Sequence, residues 1–597
     1  MPHAHARDTH PRPRLVRPSW SSLDGEWEFR FDPADDGLRE GWWRGTTSFD
    51  ERIVVPFPPE SAASGIGNRG PHRVLWYRRL LTEKDLAAAG DGDRLLLHFG
   101  AVDYRADVWV AGAHAAHHVG GHTPFTADIS ASGASIAPGA AIVVRVEDDA
   151  HDTSQPRGKQ DWQDDAHVIW YDRTSGIWQP VWLERTSARA IDAVDFETDL
   201  VAGTVTAAIR LSSQPSPGDE VKVELRYDDE LLGRARVSAL SREVRVVLEL
   251  PALRNGQAYE SLLWSPEHPR LIDAHVVLKS ATGDDGVLSY LGLRSVGWGG
   301  GAFLLNDRPR RIRAVLAQNF WPDSHLAAPS ADALRREVEL ALELGFTTAR
   351  VHQKAEDPRF LYWADRLGLM LWAEAPSAYD FDSHAIQRTC AEWQEIVARD
   401  RSHPSIVVWV PLNESWGIQH VSHDPRQRDF AEAMYRLTRS LDRTRPVVSN
   451  DGWEHATSDV LTLHDYTTDA SALARSYSSD ETLSAMIHGI GPAGRRVLAP
   501  GSVHEPGVPV VVSEFGGITY SPQGAGEGEW GYATADSAET FESHLRQLIT
   551  ALDQSEHLAG WCYTQLTDTM QEANGLLDAA RRPKLPIEVL RSIIRGE

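Results

Sequence analysis

The sequence predicts a multidomain chain of mixed β and α/β class: two antiparallel β-sandwiches followed by a (β/α)8 barrel. Three observations carry that prediction. The 597 residues exceed what one hydrophobic core accommodates, so several domains are expected. Up to about residue 297 the apolar residues come in short runs or strict alternation, as strands require. After Gly299-Gly300-Gly301, apolar strands alternate with helical patterns, the mark of a parallel α/β sheet.

From Leu23 to about Arg185, runs such as Leu95-Leu96-Leu97-His98-Phe99 and Asp107-Val108-Trp109-Val110 are broken by Gly, Pro and Asp. They predict an antiparallel sandwich over residues 1–185. Between 186 and 297 the period of two is cleaner, with Val205, Ala207, Ile209 and Leu211, then Val221, Val223, Leu225 and Tyr227, then Val244, Val246, Leu248 and Leu250. That segment reads as a second, smaller sandwich close to immunoglobulin size.

The barrel is placed at 298–597. Leu334, Val338, Ala341 and Leu342 lie at helical spacing, and Gly345 stands where a helix cap is expected. Eight strands are expected, at Ile312–Leu316, Thr347–Val351, Leu369–Glu374, Ile406–Pro411, Val447–Asn450, Val460–His464, Val508–Ser513 and Leu558–Tyr563, with a helix Pro358–Leu367 between the second and third. In such a barrel, catalytic groups sit at the C-terminal ends of strands.

Composition narrows the function. The chain is 42% hydrophobic and 24% charged, in the range of soluble globular proteins. A net charge of −25 disfavours nucleic acid and anionic membrane surfaces as partners. The two cysteines, Cys390 and Cys562, form no CxxC pair, so neither a disulfide framework nor a zinc site is expected. The opening MPHAHARDTHPRPRL has no apolar core of a signal peptide and no window resembles a membrane span, which points to a cytoplasmic protein. The 21 tryptophans offer flat apolar faces that suit sugar rings, although large β domains bury tryptophan as well.

The chemistry gathers at two strand ends. The apolar strand from Ile406 runs into Leu412-Asn413-Glu414-Ser415-Trp416-Gly417, and the strand from Val508 runs into Ser513-Glu514-Phe515-Gly516-Gly517. Two glutamates therefore meet one rim. Glycosidic cleavage with retention needs two carboxyl groups about 5 to 5.5 Å apart, one to protonate the leaving oxygen and one to attack the anomeric carbon. Mutual repulsion and desolvation raise the acid, while donors around the nucleophile keep it ionised.

At these residues a family resemblance emerges. Arg401-Ser402-His403-Pro404-Ser405-Ile406, followed by Trp409 and Asn413-Glu414, resembles the acid/base signature of glycoside hydrolase family 2, which includes β-galactosidases, β-glucuronidases and β-mannosidases. Arg350-Val351-His352, Asp365-Arg366-Leu367-Gly368-Leu369, Glu374-Ala375-Pro376 and the segment around Glu514 extend it. So do Leu23-Asp24-Gly25-Glu26-Trp27, Trp76-Tyr77-Arg78-Arg79, Gly120-Gly121-His122-Thr123-Pro124-Phe125 and Ser175-Gly176-Ile177-Trp178-Gln179-Pro180-Val181-Trp182-Leu183-Glu184 at the front of the chain. The resemblance implies, in order, a jelly-roll sugar-binding-like domain, an immunoglobulin-like sandwich and a catalytic barrel.

It further implies a role for each matching residue. Glu414 resembles the acid/base, Glu514 the nucleophile, and Asn413 the partner of the sugar's 2-hydroxyl. Tyr466, in His464-Asp465-Tyr466, resembles the tyrosine that donates to the nucleophile, and Trp561 the aromatic floor under the sugar. Arg350 is expected near the nucleophile. His352, Gln318, Asp451, Trp453, His464, Asp465, Gln565, Asp568, Glu572 and Asn574 fall at or after strand ends and are further substrate-binding candidates.

A retaining exo-β-glycosidase with no cofactor and no metal, β-galactosidase-like, is the expectation, with a carbohydrate substrate and a homo-oligomeric state. Family glucuronidases carry Asn-x-Lys after the eighth strand, whereas Asn574-Gly575-Leu576 lacks the lysine, leaving Arg581, Arg582 or Lys584 to take its place. A β-glucuronidase, β-mannosidase, pentosidase or furanosidase of the same family is the alternative. A non-catalytic carbohydrate-binding protein would not need both glutamates, and a metallohydrolase lacks its HxH or HExxH motif here.

Overall fold

The computed structural model describes residues 7–131, 133, 136–522, 524 and 528–597. The first six residues of the opening segment lie outside that description.

Two antiparallel sheets share one core near the N-terminus. One has six strands in the order Glu51–Val55, Gly25–Phe31, Val74–Leu80, Ala141–Glu147, Arg105–Val110 and Ala113–Val119; the other has four, Ser21–Ser22, Val181–Thr186, Arg94–Phe99 and Phe125–Asp128. Trp27, Phe29, Tyr77, Leu97, Phe99, Val108, Val144 and Leu183 from both sheets meet between them. A three-stranded and a four-stranded sheet follow, spanning Ile191–Asp199 to Asp285–Leu291. There the sequence alternation becomes burial alternation: Val205, Ala207, Ile209, Val221, Val223, Leu225, Val244, Val246 and Leu248 all point into one core.

A small antiparallel sheet, Val296–Gly299, Ala302–Leu305 and Arg308–Arg310, leads into the barrel. Seven strands then form one parallel ladder: Ile406–Val410, Met370–Glu374, Thr348–Val351, Ile312–Ala317, Gly560–Thr564, Val510–Gly516 and Leu461–Asp465. Nearly every residue in them is buried, as a sheet covered on both faces demands. The helix Pro358–Leu367 falls where expected, closed by Gly368 in the left-handed region at φ 87°.

The expected strand Val447–Asn450 is not a regular strand. It touches the ladder through two isolated bridges, Trp409 with Val447 and Asn413 with Asp451, so seven strands stand in the ladder and this segment spans the gap. Its backbone is engaged elsewhere: Val447 N–H donates to the Asp459 carboxylate at 2.9 Å and Ser449 N–H to Ser458 Oγ at 2.9 Å. Side-chain acceptors of that kind compete with ladder bonds, which apolar patterning does not reveal.

The segment Arg7–Arg17 ties the parts together. Arg7 pairs with Asp273 at 2.5 Å, Arg17 with Glu184 and Asp285 at 2.9 Å each, and Tyr362 donates to Asp8 at 2.9 Å. From the first β region, residues 150–175 reach the barrel's mouth, where the N–H groups of Arg157 and Gly158 both donate to Ser377 O at 3.1 Å. No helix among the described residues is long and apolar enough to cross a membrane.

Candidate active site

Glu414 follows the Ile406–Val410 strand in an uncommon conformation, with φ 49° at Glu414 and 56° at Ser415. Non-glycine residues adopt this left-handed region at a cost, and such residues concentrate at functional sites. Neighbours hold them there. Glu414 N–H donates to Asp451 O at 3.0 Å, Ser415 N–H to Asn450 Oδ1 at 2.9 Å, and Ser415 Oγ–H to Glu454 at 2.6 Å.

Glu514 lies within the Val510–Gly516 strand, whose register against Leu461–Asp465 shifts just before it. A carboxylate oxygen of Glu414, one of Glu514 and a ring nitrogen of His464 all lie within 4.8 Å of one another. Arg350, fully buried, reaches Glu514 at 2.5 Å, Glu374 at 2.8 Å, Asp451 at 2.7 Å and the Asn413 carbonyl oxygen at 2.7 Å. Tyr466 donates its hydroxyl to Glu514 Oε2 at 2.6 Å. His464 Nδ1 stands 2.7 Å from Glu414 and 3.4 Å from Glu514.

These contacts separate the two carboxyl groups electrically. Burial works to raise Glu514, but the charges of His464 and Arg350, with the Tyr466 hydrogen bond, bring it down to about 2. Burial raises Glu414, and repulsion from Glu514 adds to it against the pull of His464. Burial would discharge His464, yet Glu514, Asp451 and Glu414 around it push it up to about 10. Glu374 rises to about 8 through burial, and Asp451 is held ionised by Arg350. The result is one glutamate pushed toward its ionised form beside one pushed toward its protonated form.

Several polar groups at the mouth make no hydrogen bond with any described residue: both amide atoms of Gln318, Asn413 Nδ2 and Gln565 Oε1, all buried. Buried polar atoms are rarely left so, and here they are available to a hydroxylated ligand. Gln565 Nε2 donates to Asn574 Oδ1 at 2.8 Å, and Asn574 donates to Glu572 at 3.3 Å. Glu572 pairs with Lys159 at 2.9 Å, a lysine supplied by the first β region. His352 leans on Glu374 at 3.2 Å. Aromatic rings gather nearby: Trp416 lies against Trp170, Tyr379 and His352, and Tyr532 stacks on Tyr466.

Not every candidate reaches this cluster. Trp561 is completely buried between Phe346 and Phe515, with Nε1 donating to Asp553 at 3.2 Å on the helix Ala538–Asp553. It faces the helical layer and provides no floor under a sugar. Strand alternation explains why, since Cys562 and Thr564 take the inward side while Trp561 and Tyr563 face out. Asp465 likewise accepts from Tyr477 at 2.9 Å among the helices. Trp453 is stacked under Arg495, and Asp568 is held by Lys584 at 2.7 Å and Gly575 N–H at 2.8 Å. Arg581 is bound to Glu337 at 2.5 Å and Arg582 to Asp578 at 2.6 Å, so none of the three cations offered for a substrate carboxylate is free. Lys159, Glu374, Trp170, Tyr379 and Tyr532 were not among the expected site residues. Lys159 lies in the polar stretch 148–167, where no pattern sets it apart, so the sequence carried no distinct signal for it.

Among the described residues, Glu414, His464 and Glu514 are the one group with ligand atoms close enough to hold a cation. Each is already engaged with another member of the cluster, and the pair of carboxyl groups suits proton transfer and nucleophilic attack without an ion.

Residues 299–528 match the family model for the TIM barrel domain of glycosyl hydrolases family 2. The β-glucuronidase of Felis catus is 26% identical over 470 residues, covering 72% of this chain and 69% of that protein. A β-galactosidase of Thermoanaerobacter pseudethanolicus is 25% identical over 62% of this chain and 48% of its own length. Among solved structures, a family 2 β-galacturonidase from Eisenbergiella tayi superposes with a TM-score of 0.75 at 20% identity, covering 98% of this chain and 97% of that one. The β-glucuronidase of Ruminococcus gnavus gives 0.74 at 18% identity over 97% and 99%. Barrel and matches together define a glycoside hydrolase. Within that class, residues 299–528 belong to the TIM barrel domain of glycosyl hydrolases family 2.

Proposed function

We propose that this glycosidase removes a terminal β-linked sugar by double displacement, with Glu514 as nucleophile and Glu414 as acid/base. One observation carries the reading: the two carboxyl groups approach within 4.8 Å, near the separation of about 5 to 5.5 Å typical of retention and short of the roughly 6.5 to 9.5 Å that leaves room for water in inversion. In the first step Glu514 attacks the anomeric carbon while Glu414 gives its proton to the leaving oxygen. In the second, Glu414 takes a proton from water, which displaces Glu514 from the sugar. Asn413 Nδ2, free and buried, is placed to donate to the 2-hydroxyl as the oxocarbenium-like transition state forms.

A neutral sugar, a β-galactoside first, is the substrate we favour. Glu572 neutralises Lys159, and a second anion there would have to compete with it. The specific case for a uronide is Lys159 itself, together with relatives named β-glucuronidase and a neighbour named β-galacturonidase. We assign residues 1–185 a jelly-roll domain and 186–297 an immunoglobulin-like sandwich, supported by the two pairs of facing sheets.

A panel of chromogenic β-glycosides, neutral and uronic, tests the substrate, and NMR of the first-formed anomer tests the mechanism. The expected result is turnover of a neutral β-glycoside with release of the β-anomer. A first-formed α-anomer rejects double displacement, and uronide-only turnover rejects the neutral substrate. Chelation with EDTA is expected to leave the rate unchanged.

A further inference from the structure

A second cavity, of about 380 Å³, lies where the N-terminal segment, both β regions and the barrel meet. Pro11 to Leu15 form one wall, Gln179 and Trp182 another, and Arg399 and Arg401 a third. Arg399 stands at the C-terminal end of the helix Ser383–Asp400, before the strand whose far end carries Glu414. Pro358, at the start of the preceding helix, lines it as well, so the cavity lies along the flank of the barrel, and none of its lining residues is among those that contact Glu414 or Glu514.

Arg14 is the anomaly. It is only 7% exposed and forms no ion pair with any described residue. Its Nη2 reaches Val194 O at 3.4 Å, its Nε makes no hydrogen bond, and its guanidinium lies 6.0 Å from the centre of the Tyr290 ring. A buried guanidinium without a counter-ion is expensive to desolvate. The acids around it are committed or discouraged. Asp195 pairs with Arg401 at 2.6 Å, Asp400 with Arg399 at 2.7 Å, Glu395 approaches His118 at 3.6 Å, and burial pushes the Asp192 carboxyl up. Arg399 Nη1 and Arg401 Nε also lack acceptors. Gln179, only 2% exposed, has neither amide atom hydrogen-bonded to any described residue. Gln179 belongs to the conspicuous Gly176-Ile177-Trp178-Gln179-Pro180 string, for which the glycosidase site has no use.

We propose that this cavity binds a small organic anion, a carboxylate or phosphate ester of monosaccharide size, separately from the catalytic cleft. Arg14 receives the anionic oxygens, Gln179 meets a hydroxyl or carbonyl group, and Pro11, Pro13, Pro180 and Trp182 supply apolar contact. A volume of this order suits such a ligand.

Calorimetry and thermal unfolding of the full chain test it, with inorganic phosphate, glucose 6-phosphate, gluconate and neutral glucose as probes. At least one organic anion is expected to bind at one site and raise Tm, with glucose inert; the phosphate and carboxylate arms identify the headgroup. Arg14→Gln is expected to weaken binding about ten- to a hundredfold while kcat/KM on an aryl glycoside stays unchanged. Should Arg14→Gln not fold, Gln179→Leu carries the same comparison with a smaller loss. Three results would each overturn the proposal: no organic anion binds the wild type at about 10 mM, binding is equal in the variants, or the anion inhibits the aryl glycoside competitively.

Discussion

The two-sheet region from Ile191 to Leu291 and the strand tips of the barrel are both buried, but they are buried for opposite reasons. In the first, Val, Ile and Leu alternate into an apolar core held by contact, with its buried carboxylates Asp219 and Asp285 paired to arginines at the edges. In the second, Arg350, Glu374, Asp451, Glu514 and His464 are all nearly inaccessible, and Glu414 and Ser415 adopt left-handed backbone. A charge cluster of that kind is weak evidence of stabilisation, because desolvation offsets much of the attraction. The difference teaches where stability and turnover reside, and it can be broken by substitution.

Glu514→Ala should produce the largest effect, a loss of kcat by about four to six orders of magnitude, the scale seen when a covalent nucleophile is removed. Azide is expected to restore part of the rate and yield the α-glycosyl azide; wild-type turnover by the variant would end the assignment. Glu414→Ala should cost about a hundred- to ten-thousandfold. That loss is expected to shrink for dinitrophenyl leaving groups, and a plot of rate against leaving-group pKa decides it: equal slopes for wild type and variant remove the acid role.

His464→Asn sharpens the electrostatic side. Its charge is the foremost influence lowering Glu514, so removing it raises the pKa of Glu514, the proposed nucleophile, from about 2. The acid limb of kcat/KM, where falling pH protonates the nucleophile, should therefore move to higher pH. An unmoved limb would mean that Arg350 and the Tyr466 hydrogen bond suffice to keep Glu514 ionised. At the other end of the comparison, Leu225→Ala should destabilise the fold by about 2 to 5 kcal/mol, read as a lower Tm, and leave kcat unaltered. A fall in kcat at temperatures well below Tm would couple the two regions after all.

Much of this was legible in the chain. Alternation at Val221, Val223 and Leu225 translated directly into inward side chains, and strand ends at Glu414 and Glu514 brought the two glutamates to one rim. Trp561 was misplaced because a strand's apolar residues look alike whether they face the helices or the barrel axis; only the register beside Arg313 and Val512 separates those sides. Val447–Asn450 was drawn as a regular strand because the pull of Asp459 and Ser458 on its backbone is not a property of apolar pattern.

The sequence by itself determined which segments bury apolar faces and which strands end in carboxylates, since both follow from local periodicity along the chain. Tertiary structure decided that Lys159 meets Glu572, that His464 stands between the two glutamates, and that Arg14 is buried with no ion-pair partner among the described residues. Those contacts join residues far apart in the chain, and their electrostatics depend on burial and distance, quantities that exist only once the parts have packed.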